Sequence, residues 1–506
     1  MSISSVRELL EELDKRGDVF RVKREVDPRS FQVPAIVRRV EEETGQAVYF
    51  ERLKGYGMSL ASNLYGSVSR CALALGIEPT AEEVARYRND SRGSGAGMAG
   101  CTRYSFGMTD YERACVIKLR NAFEEGLKRA SEFPVKTVSY SPIKEVILRE
   151  DVDILKTIPV IWHCAEDAGP FFTSGIWITK DPDTGQYGMG IFRSQVTPES
   201  YGPNRAGVLF SVHSDTYGRL LRYESRGEPM EAAVVFASEP AVQLSAAFAA
   251  PKGVDEFELA GALKGSPVEM VKCETVDLLV PANAEIVVEG VVLPNVRMAE
   301  GPMAEFTDYY REEKAPKPVF EARAITFRRN PIYHTIMSGM SDEHRTLSAI
   351  VGWGWERRVL EKLRKEFPTV KAVANNLGSD LFHLVVSMRK EREGDDKRLL
   401  HYIMGLDISV FYKYVTIVDD DIDVYNPDQV EWARCMRAGT PDSYIIFHDM
   451  HTHNLDPMGR ISGPPAQQRL TVTKLGILAT HKVGERYRRP GPPDDVLEAV
   501  RLKDYS

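Results

Sequence analysis

The sequence predicts a mixed α/β protein in which a strand-rich middle is followed by a layered α/β region. Short alternating apolar segments with Gly and Pro turns recur over residues 136–330, which is typical of a barrel or sandwich. From about residue 345, predicted helices and strands alternate, which indicates an α/β layer. The length of 506 residues allows one large core or two to three smaller ones.

Composition argues against several classes of protein. The formal net charge of −8 makes nucleic-acid binding a poor hypothesis, because that function needs a basic surface. No apolar run approaches the roughly 20 residues of a membrane span, so we expect no membrane association. The first twelve residues predict an amphipathic helix and not a signal peptide. The six cysteines show no Cys-x-x-Cys spacing, which fits reduced thiols in the cytoplasm.

The N-terminal residues predict a small α/β lobe. Ser4 or Ser5 caps a first helix that ends at Gly17, a strand covers Ala47–Phe50, and a helix covers Ala81–Arg88. Glycines at 95, 97 and 100 match a dinucleotide-binding pattern, but a polar helical segment precedes them where a buried strand is required. Residues 90–110 are therefore predicted to be a flexible linker.

The remaining elements define the domain boundaries that we predict: 1–110, 111–330 and 331–506. A helix from Asp110 to Phe133 opens the middle domain, and the last domain ends in a tail helix. The predicted strands of the middle domain are Ser174–Thr179, Gly207–Val212, Ala284–Gly290 and Ala322–Phe327. The predicted elements of the last domain are Trp355–Phe367, His383–Met388, Arg398–Leu406, Tyr414–Val418 and the tail helix near Asp495–Leu502.

A short acidic loop at residues 299–310 carries the strongest candidate chemistry. Glu300 and Glu305 are five residues apart, a spacing that would point them in different directions along a helix or a strand. Pro302 interrupts both kinds of element, so the loop must bend if the two carboxylates face one pocket. Two close carboxylates raise the pKa of one of them, which yields a proton donor near neutral pH. A solvated acidic turn is the alternative.

Arg193 lies within Gly188–Val196, a segment that reads as one strand. A guanidinium offers a planar fork that matches a carboxylate. By itself, an arginine on a strand also fits a solvated face or a structural ion pair.

Two other segments carry residues that bind metals. His448–His453 contains three histidines and is a candidate zinc site, although such loop histidines are often only polar. Asp419–Asp423 follows a predicted strand and would suit magnesium in a glycosyl or phosphoryl transferase. An acidic cap at the end of the strand is the alternative.

The acidic loop resembles the signature loop of the UbiD family of reversible decarboxylases, which use prenylated FMN. Both acids of the family pattern are present, whereas Met303 replaces an aromatic residue, Ala304 a glycine and Asp308 a glycine. The segment around Arg193 is similar to the family segment whose arginine faces the substrate carboxylate. The resemblance implies a central split β-barrel that binds flavin and a C-terminal α/β oligomerisation domain.

Further motifs over residues 150–485 extend this resemblance and imply a cofactor site. Asp167–Gly175 resembles the family's Asp-Ala-Gly-Pro segment. Ile191, Phe192 and Arg193 would lie beside the flavin, and Lys474 beside its phosphate. The same resemblance extends the cofactor site to Leu209, Phe210, Ser211, His213, Ser214 and Glu256.

The resemblance also implies a divalent metal, Mn or Mg or else Fe, and K as a further ion. The implied ligands are His213 and Glu256, with Glu258 as the alternative register. Many family members carry Asn at the position of Gly188, where it completes the metal site. A third ligand would then come from water, a backbone carbonyl or the flavin phosphate.

The function implied by the resemblance is reversible decarboxylation of an aromatic or α,β-unsaturated carboxylic acid. Arg193 would orient the carboxylate, Glu305 would donate the proton, and Glu300 would pair with Arg193. The expected partners are the small-molecule acid, carbon dioxide, a flavin prenyltransferase that supplies the cofactor, and further copies of the chain in a homodimer or homohexamer. The alternatives are the magnesium-dependent transferase built on Asp419–Asp423 and a non-catalytic flavin-binding module.

Overall fold

The computed structural model describes residues 2–90, 109–196, 201–212, 214–310, 314–339, 341–375, 377–379, 381–462, 469–485, 496, 499 and 500. The chain divides into two compact units. The first contains residues 1–78, 118–354 and 454–457, and the second contains residues 79–117, 355–453 and 458–506. The predicted glycine-rich linker and most of the predicted tail helix lie outside the described residues.

Four of the described helices begin and end close to predicted ones, one begins earlier than predicted, and the other seven were not predicted. The described helices are α1 Val6–Lys15, α2 Gln32–Glu43, α3 Val68–Ala74, α4 Ala81–Asp90, α5 Asp110–Arg129, α6 Ile154–Thr157, α7 Asp215–Ser225, α8 Pro240–Ala247, α9 Glu256–Lys264, α10 Asp342–Glu366, α11 Asp395–Met404 and α12 Pro427–Arg437. Short 3₁₀ turns cover Ala130–Glu132, Pro142–Lys144, Leu377–Ser379, Asp407–Phe411 and Pro441–Ser443.

The strands of the first unit are β1 Val19–Val22, β2 Ala47–Phe50, β3 Ser59–Ser62, β4 Lys136–Thr137, β5 Val146–Leu148, β6 Phe171–Phe172, β7 Ile176–Lys180, β8 Tyr187–Ile191, β9 Ser194–Val196, β10 Arg205–Val208, β11 Met230–Phe236, β12 Glu269–Lys272, β13 Leu279–Pro281, β14 Ile286–Glu300, β15 Ala315–Phe327 and β16 Ile332–His334. Those of the second unit are β17 Val370–Asn375, β18 His383–Met388, β19 Tyr414–Asp419, β20 Tyr444–His451, β21 Arg460–Ser462 and β22 Arg469–Ala479.

The first helix forms for the reasons that the sequence suggested. The Ser5 side chain accepts a hydrogen bond from the Glu8 backbone, so one free N–H at the start of α1 is satisfied. Leu9, Leu10 and Leu13 are buried on one side of the helix. Gly17 follows the helix with a φ of +70°, a conformation that glycine adopts without a steric cost.

A large, mostly antiparallel sheet of the first unit carries the candidate site. Its described strands run in the order β6-β9-β10-β15-β14-β11-β7-β8, and β5 pairs with β15. The long strands β14 and β15 pair from Ile286 opposite Phe327 to Glu300 opposite Ala315. The acidic loop is therefore the connection of this hairpin. Gly290 lies at an irregularity in the pairing, where a Cβ atom would stand 2.0 Å from the Glu321 carbonyl oxygen.

The core of the first unit lies against this sheet. Trp177 packs edge to face against Phe210 and Phe320, with ring centroids 5.4 and 5.0 Å apart. Two smaller sheets in the described residues have the orders β1-β2-β3-β16 and β13-β12-β4. The first contains the predicted strand Ala47–Phe50.

The second unit is the α/β layer that the alternation of elements predicted. Its described sheet has the order β17-β18-β19-β22-β20, and its three central strands are parallel. Leu363 of α10 and Leu399 of α11 belong to one buried cluster, and Val430 and Ala433 of α12 belong to another. Adjacent residues of β18, Leu384 and Val385, point into the two different clusters, so this sheet is covered on both faces.

The predicted bounds of three elements were wrong. The segment Gly188–Val196 is two strands, β8 and β9, and Phe192 and Arg193 lie between them. The strand predicted at Gly207–Val212 ends at Val208, because the chain then turns so that Ser214 caps α7. The helix predicted to start at Trp355 begins at Asp342.

In the part of the chain that the structure describes, we find no helix that is both long enough and apolar enough to cross a bilayer. The five described cysteines are free thiols, as the scattered spacing predicted.

Candidate active site

Arg193 is held by its own backbone at the point where two strands of the large sheet separate. Its carbonyl oxygen accepts a hydrogen bond of 3.1 Å from the Leu209 backbone N–H. The carbonyl of Phe192 accepts from the indole Nε1 of buried Trp177 at 3.2 Å. Because these contacts continue the sheet after β8 has ended, they fix the backbone from which the Arg193 side chain projects.

Glu300 is the last residue of β14, and its side chain is completely buried. The glycine at position 207 makes room for it. A Cβ atom at Gly207 would lie 2.9 Å from Cγ of Met298 and 3.4 Å from Cβ of Glu300. A side chain at this position of the neighbouring strand β10 would therefore displace Met298, two residues before Glu300 in β14, and would touch Glu300.

One guanidinium joins the two acids of the loop. Arg193 donates to Glu300 from Nε at 3.1 Å and from Nη2 at 3.2 Å, which is a forked pair. Its Nη1 donates to Glu305 Oε1. The Arg193 side chain is 9% exposed and that of Glu305 14%. The bend expected in the acidic loop is present, and it brings two carboxylates that are five residues apart in sequence to one cation.

Gln195 and Asp167 hold the acidic loop from outside. The Gln195 amide accepts from the Gly301 N–H at 2.9 Å and donates to the Ala168 carbonyl at 2.8 Å. The Asp167 carboxylate accepts from the backbone N–H groups of Ala304 at 2.8 Å and Cys164 at 2.9 Å. The Ala168 N–H closes the arrangement by donating to the Pro302 carbonyl at 2.8 Å. Burial raises the pKa of Asp167 to about 6 against these hydrogen bonds.

The sequence did not assign roles to these two residues, although signals for both were present. Asp167 belongs to a segment recognised only as a resemblance. Gln195 follows Arg193 by two residues, which is the spacing of side chains on one face of a strand.

Two departures from the family loop pattern fit the observed backbone. Asp308, where glycine is usual, has a φ of +62°, and its N–H donates to the Glu305 carbonyl at 3.0 Å. Aspartate enters this left-handed region more readily than most residues do. Met303, where an aromatic residue is usual, is buried.

His344 is a half-buried histidine that no sequence motif indicated. Its ring packs edge to face on Phe306, the residue after Glu305, with centroids 5.6 Å apart. Burial, with a smaller contribution from the charge of Arg193, lowers the pKa of His344 to about 4. The ring is therefore neutral near pH 7, and its Nδ1 lies 3.1 Å from the Gly339 carbonyl oxygen, which makes Nδ1 the protonated nitrogen. No motif marks a histidine 39 residues after Glu305.

The apolar residues predicted to contact flavin come together beside Arg193. The rings of Phe192 and Phe210 meet edge to face with centroids 5.1 Å apart, and Leu209 is bonded to Arg193 through the backbone. Ile191, Phe192 and Leu209 are half-buried, so this region leaves apolar surface uncovered next to a buried ionic cluster. Such a combination suits a planar aromatic group with polar substituents.

Comparison with known families decides the relationship of the chain. Models of the N-terminal, Rift-related and C-terminal domains of 3-octaprenyl-4-hydroxybenzoate carboxy-lyases match residues 10–87, 136–341 and 349–479. The chain belongs to the UbiD family. It is accordingly an enzyme of the carboxy-lyase class, and the resemblance seen in the sequence is confirmed.

Solved structures of UbiD-class enzymes are similar over the whole chain. HmfF of Pelotomaculum thermopropionicum in complex with FMN has 33% identity and a TM-score of 0.76, and the match covers 99% of this chain and 100% of HmfF. An evolved dimeric form of HmfF in complex with prenylated FMN has 34% identity and a TM-score of 0.71 over the same shares. Vanillic acid decarboxylase of Sedimentibacter hydroxybenzoicus has 25% identity and a TM-score of 0.75, covering 100% and 99% of the two chains.

The metal site expected from the UbiD resemblance does not fit the described residues. Gly188 has no side chain, and the space that a Cβ atom would enter contains the guanidinium of Arg219, with Nη1 only 1.8 Å from the Cβ position. Glu256 is the first residue of α9 and is largely buried. His213 lies outside the described residues. Within the described ranges, no group of three or more His, Cys, Asp or Glu residues is arranged to hold a metal ion.

Three of the remaining predicted cofactor residues, Ser211, Ser214 and Lys474, form hydrogen bonds with other groups of the protein. Ser214 caps α7 by accepting from the Tyr217 N–H at 3.2 Å, and its hydroxyl donates to the Ser211 carbonyl at 2.7 Å. Lys474 is fully buried in β22 of the second unit, where its ammonium donates to the Ser409 carbonyl. The contacts of all three with a cofactor stay a prediction.

The acidic run of the second unit has a structural partner. Arg437 donates to Asp419 at 2.8 Å and to Asp421 at 2.8 and 2.7 Å. This pairing supports the interpretation of Asp419–Asp423 as an acidic cap at the end of a strand. In the same unit, the ring of His453 stacks on Phe411 with centroids 4.2 Å apart, so it does not stand as a free ligand beside His448 and His451.

Proposed function

We propose that the chain is a reversible, non-oxidative decarboxylase of an aromatic or α,β-unsaturated carboxylic acid that uses prenylated FMN. One observation carries this proposal. A single guanidinium, that of Arg193, is shared by Glu300 and Glu305 next to uncovered apolar surface. The UbiD-class neighbour that binds prenylated FMN supports the choice of cofactor. The name of the vanillic acid decarboxylase supports an aromatic acid as the substrate class.

The two glutamates are proposed to do different work because their surroundings differ. Glu300 is fully buried and takes the forked pair from Arg193, so it holds the guanidinium in place. Glu305 accepts from Nη1 of Arg193 and retains some exposure. Glu305 is therefore the acid that can turn away from Arg193, and a substrate carboxylate then takes its place on Nη1.

The different surroundings of the two glutamates also indicate which one donates the proton. When bound, the cofactor supplies a sink for the electron pair of the bond between the substrate and its carboxylate. Arg193 orients the carboxylate through charge-assisted hydrogen bonds. Glu305 in its protonated form donates to the carbon that lost carbon dioxide and regains a proton from water. In the reverse direction Glu305 removes that proton. Gln195 and Asp167 hold the loop backbone so that Glu305 returns to one position.

The cofactor would lie against Ile191, Phe192, Leu209 and Phe210, with the phosphate near Ser211 and Ser214. Lys474 is proposed as a further phosphate neighbour, on resemblance alone. Since the described residues do not fit a divalent metal, no step of this proposal uses one. A flavin prenyltransferase is proposed as the supplier of the cofactor, and a homodimer or homohexamer as the assembly.

The proposal is tested by co-expression with a flavin prenyltransferase, followed by assays of carbon dioxide release from a panel of aromatic and α,β-unsaturated acids. We expect release from at least one acid, and exchange of labelled bicarbonate into the same acid at high carbon dioxide. A protein that carries prenylated FMN and is inert to every acid would support a non-catalytic flavin-binding module instead. Light scattering of the same sample distinguishes a dimer from a hexamer.

A further inference from the structure

The region around Gly188 contains a buried cation that the proposed reaction does not use. Arg219 projects from α7 and is 7% exposed. Its Nη2 donates to the Tyr187 carbonyl at 3.2 Å and its Nη1 to the Thr179 hydroxyl at 3.4 Å. Its Nε is buried and has no hydrogen-bond partner among the described residues. Both acceptors are uncharged, so the guanidinium has hydrogen bonds without a counter-ion.

A buried carboxylate lies in the same region. The carboxyl group of Glu256 accepts from the Met189 N–H, which places it beside the residue that follows Gly188. Its Oε2 atom is buried and likewise has no hydrogen-bond partner in the described ranges. The charges of Arg219 and Glu256 act on each other, although the two side chains form no ion pair within 4 Å among the described contacts.

A divalent ion is disfavoured at this place for two reasons. Gly188 cannot supply a ligand, and the position of its absent side chain is taken by the Arg219 guanidinium, with Cζ 2.5 Å from where Cβ would be. A metal bound to Glu256 at this point would also lie close to a fixed positive charge, which repels it. The guanidinium itself supplies a positive charge at this place, although one unit where a divalent ion brings two.

We propose that Arg219 replaces the divalent metal, so that flavin binding by this chain is independent of metal, with the guanidinium and its unpartnered Nε bonding the cofactor phosphate. This inference rests on the proposed use of a flavin. Arginine suits the task because it stays charged and its N–H groups match phosphate oxygens. An anion would also compensate a buried charge that is otherwise costly.

The first measurement needs no variant. The full-length apoprotein is titrated with FMN, followed by flavin fluorescence, once in EDTA and once in excess Mn²⁺. If a metal ion contacted the phosphate, its removal by EDTA would weaken FMN binding by about tenfold or more. Because we expect no such ion, the two dissociation constants should agree within about twofold. Metal analysis of the purified protein should find less than one Mn, Mg or Fe ion per ten chains, roughly the level of contamination.

Substitutions then test whether Arg219 is the residue that binds the phosphate of FMN. Arg219→Ala should weaken FMN binding in EDTA by about 10- to 100-fold, the value of one or two hydrogen bonds to a charged group. Arg222→Ala is the matched control, because Arg222 lies on the same helix but forms a surface pair with Asp181. It should change the dissociation constant by less than about twofold. The double variant Gly188→Asn with Arg219→Ala should bind Mn²⁺, detected by its paramagnetic resonance, and regain FMN affinity when Mn²⁺ is added.

The outcomes separate this inference from the proposed function. FMN binding by the natural chain that is lost in EDTA and restored by Mn²⁺ overturns the role of Arg219 and leaves the decarboxylase proposal standing. Arg219→Ala that folds and binds FMN as tightly as Arg222→Ala also overturns it. Failure of the natural chain to bind FMN under either condition removes the flavin from the proposed function and this inference with it.

Discussion

Two arginines of the first unit lie beside buried glutamates, and they differ in whether a carboxylate neutralises them. Arg193 gives a forked pair to Glu300 and a further contact to Glu305. Arg219 donates to a carbonyl and a hydroxyl, and in the part of the chain that the structure describes it forms no ion pair. The charge of Arg193 is thus paired with carboxylates, whereas the described hydrogen bonds of Arg219 go to uncharged groups.

This difference indicates two kinds of binding. In the proposed reaction, an incoming carboxylate displaces one that is already present at Arg193, so its binding is an exchange that releases Glu305. At Arg219 an anion would meet a charge that makes no described ion pair within 4 Å, so it would not first have to displace a carboxylate. The first arrangement suits a substrate that binds and leaves, and the second suits a group that stays.

The largest expected effect is that of Arg193→Ala. This change should reduce carbon dioxide release by more than about 10³-fold, because it removes the group that orients the carboxylate. It should also lower the free energy of unfolding by about 3–5 kcal/mol, since it leaves Glu300 buried without its cation. FMN affinity should stay within about twofold, because a separate cation is proposed for the phosphate.

The matched control for this change is Arg205→Ala, which removes a half-exposed arginine that pairs with Glu321. It should cost about 1 kcal/mol or less in urea unfolding. Near-normal turnover of Arg193→Ala would remove Arg193 from the mechanism.

The second-largest loss of turnover is expected for Glu305→Gln. The amide preserves shape but cannot donate the proton, so turnover should fall by about 10²–10⁴-fold with little change in stability. In the natural chain, solvent deuterium should enter the product at the carbon that lost the carboxylate. Glu300→Gln is the comparison variant. It should also lower turnover, because Arg193 is held less firmly, but its residual product should carry the same deuterium. A Glu305→Gln enzyme that works at close to the normal rate would refute the assignment of the donor.

Gly207→Ala tests whether the position of Glu300 depends on the bare backbone beside it. The new methyl group would lie 2.9 Å from Met298 Cγ, so the Met298 side chain must move, and 3.4 Å from Glu300 Cβ, which is the edge of ordinary van der Waals contact. We expect a loss of about 1–3 kcal/mol in stability and about 10- to 100-fold in kcat. Gly57→Ala, where a Cβ atom meets nothing within 4 Å, is the control and should leave both quantities unchanged. Equal activities of the two variants would show that Glu300 tolerates displacement.

The smallest effect concerns the pH dependence of stability. Asp167 has a pKa of about 6 in the folded state, above the ordinary value of 3.8. As pH rises from about 4 to about 6, the unfolded chain releases this proton before the folded one does, so the folded state loses stability, by at most about 3 kcal/mol. Urea unfolding of Asp167→Asn between pH 4 and pH 7 should lack this loss. Parallel curves for the two proteins would contradict the assignment.

A cluster of one arginine and two carboxylates in the second unit shows that such a cluster can also form between residues close in sequence. Arg437 also contacts two carboxylates, those of Asp419 and Asp421. All three belong to one strand end and the helix after it, so local sequence suffices to form the cluster. The Arg193 cluster instead joins residues separated by 107 and 112 positions.

The sequence by itself determined the local elements and indicated the residues that we propose to react. The cap and apolar face predicted α1, the alternation of elements predicted the layered second unit, and the acidic loop predicted that Glu300 and Glu305 would have to be brought together by a bend. These features depend on neighbours within a few residues, which is the range over which propensity and periodicity act.

The tertiary structure alone decided the contacts between distant segments. The break between β8 and β9 at Arg193, the space beside Gly207 and the approach of His344 to Phe306 all arise from strand register and packing. The clearest example is Gly188. The sequence shows only a missing ligand there, whereas the fold places the Arg219 guanidinium in that space from a helix 31 residues later. Side chains occupy whatever volume the close-packed interior leaves, and that volume belongs to the whole fold.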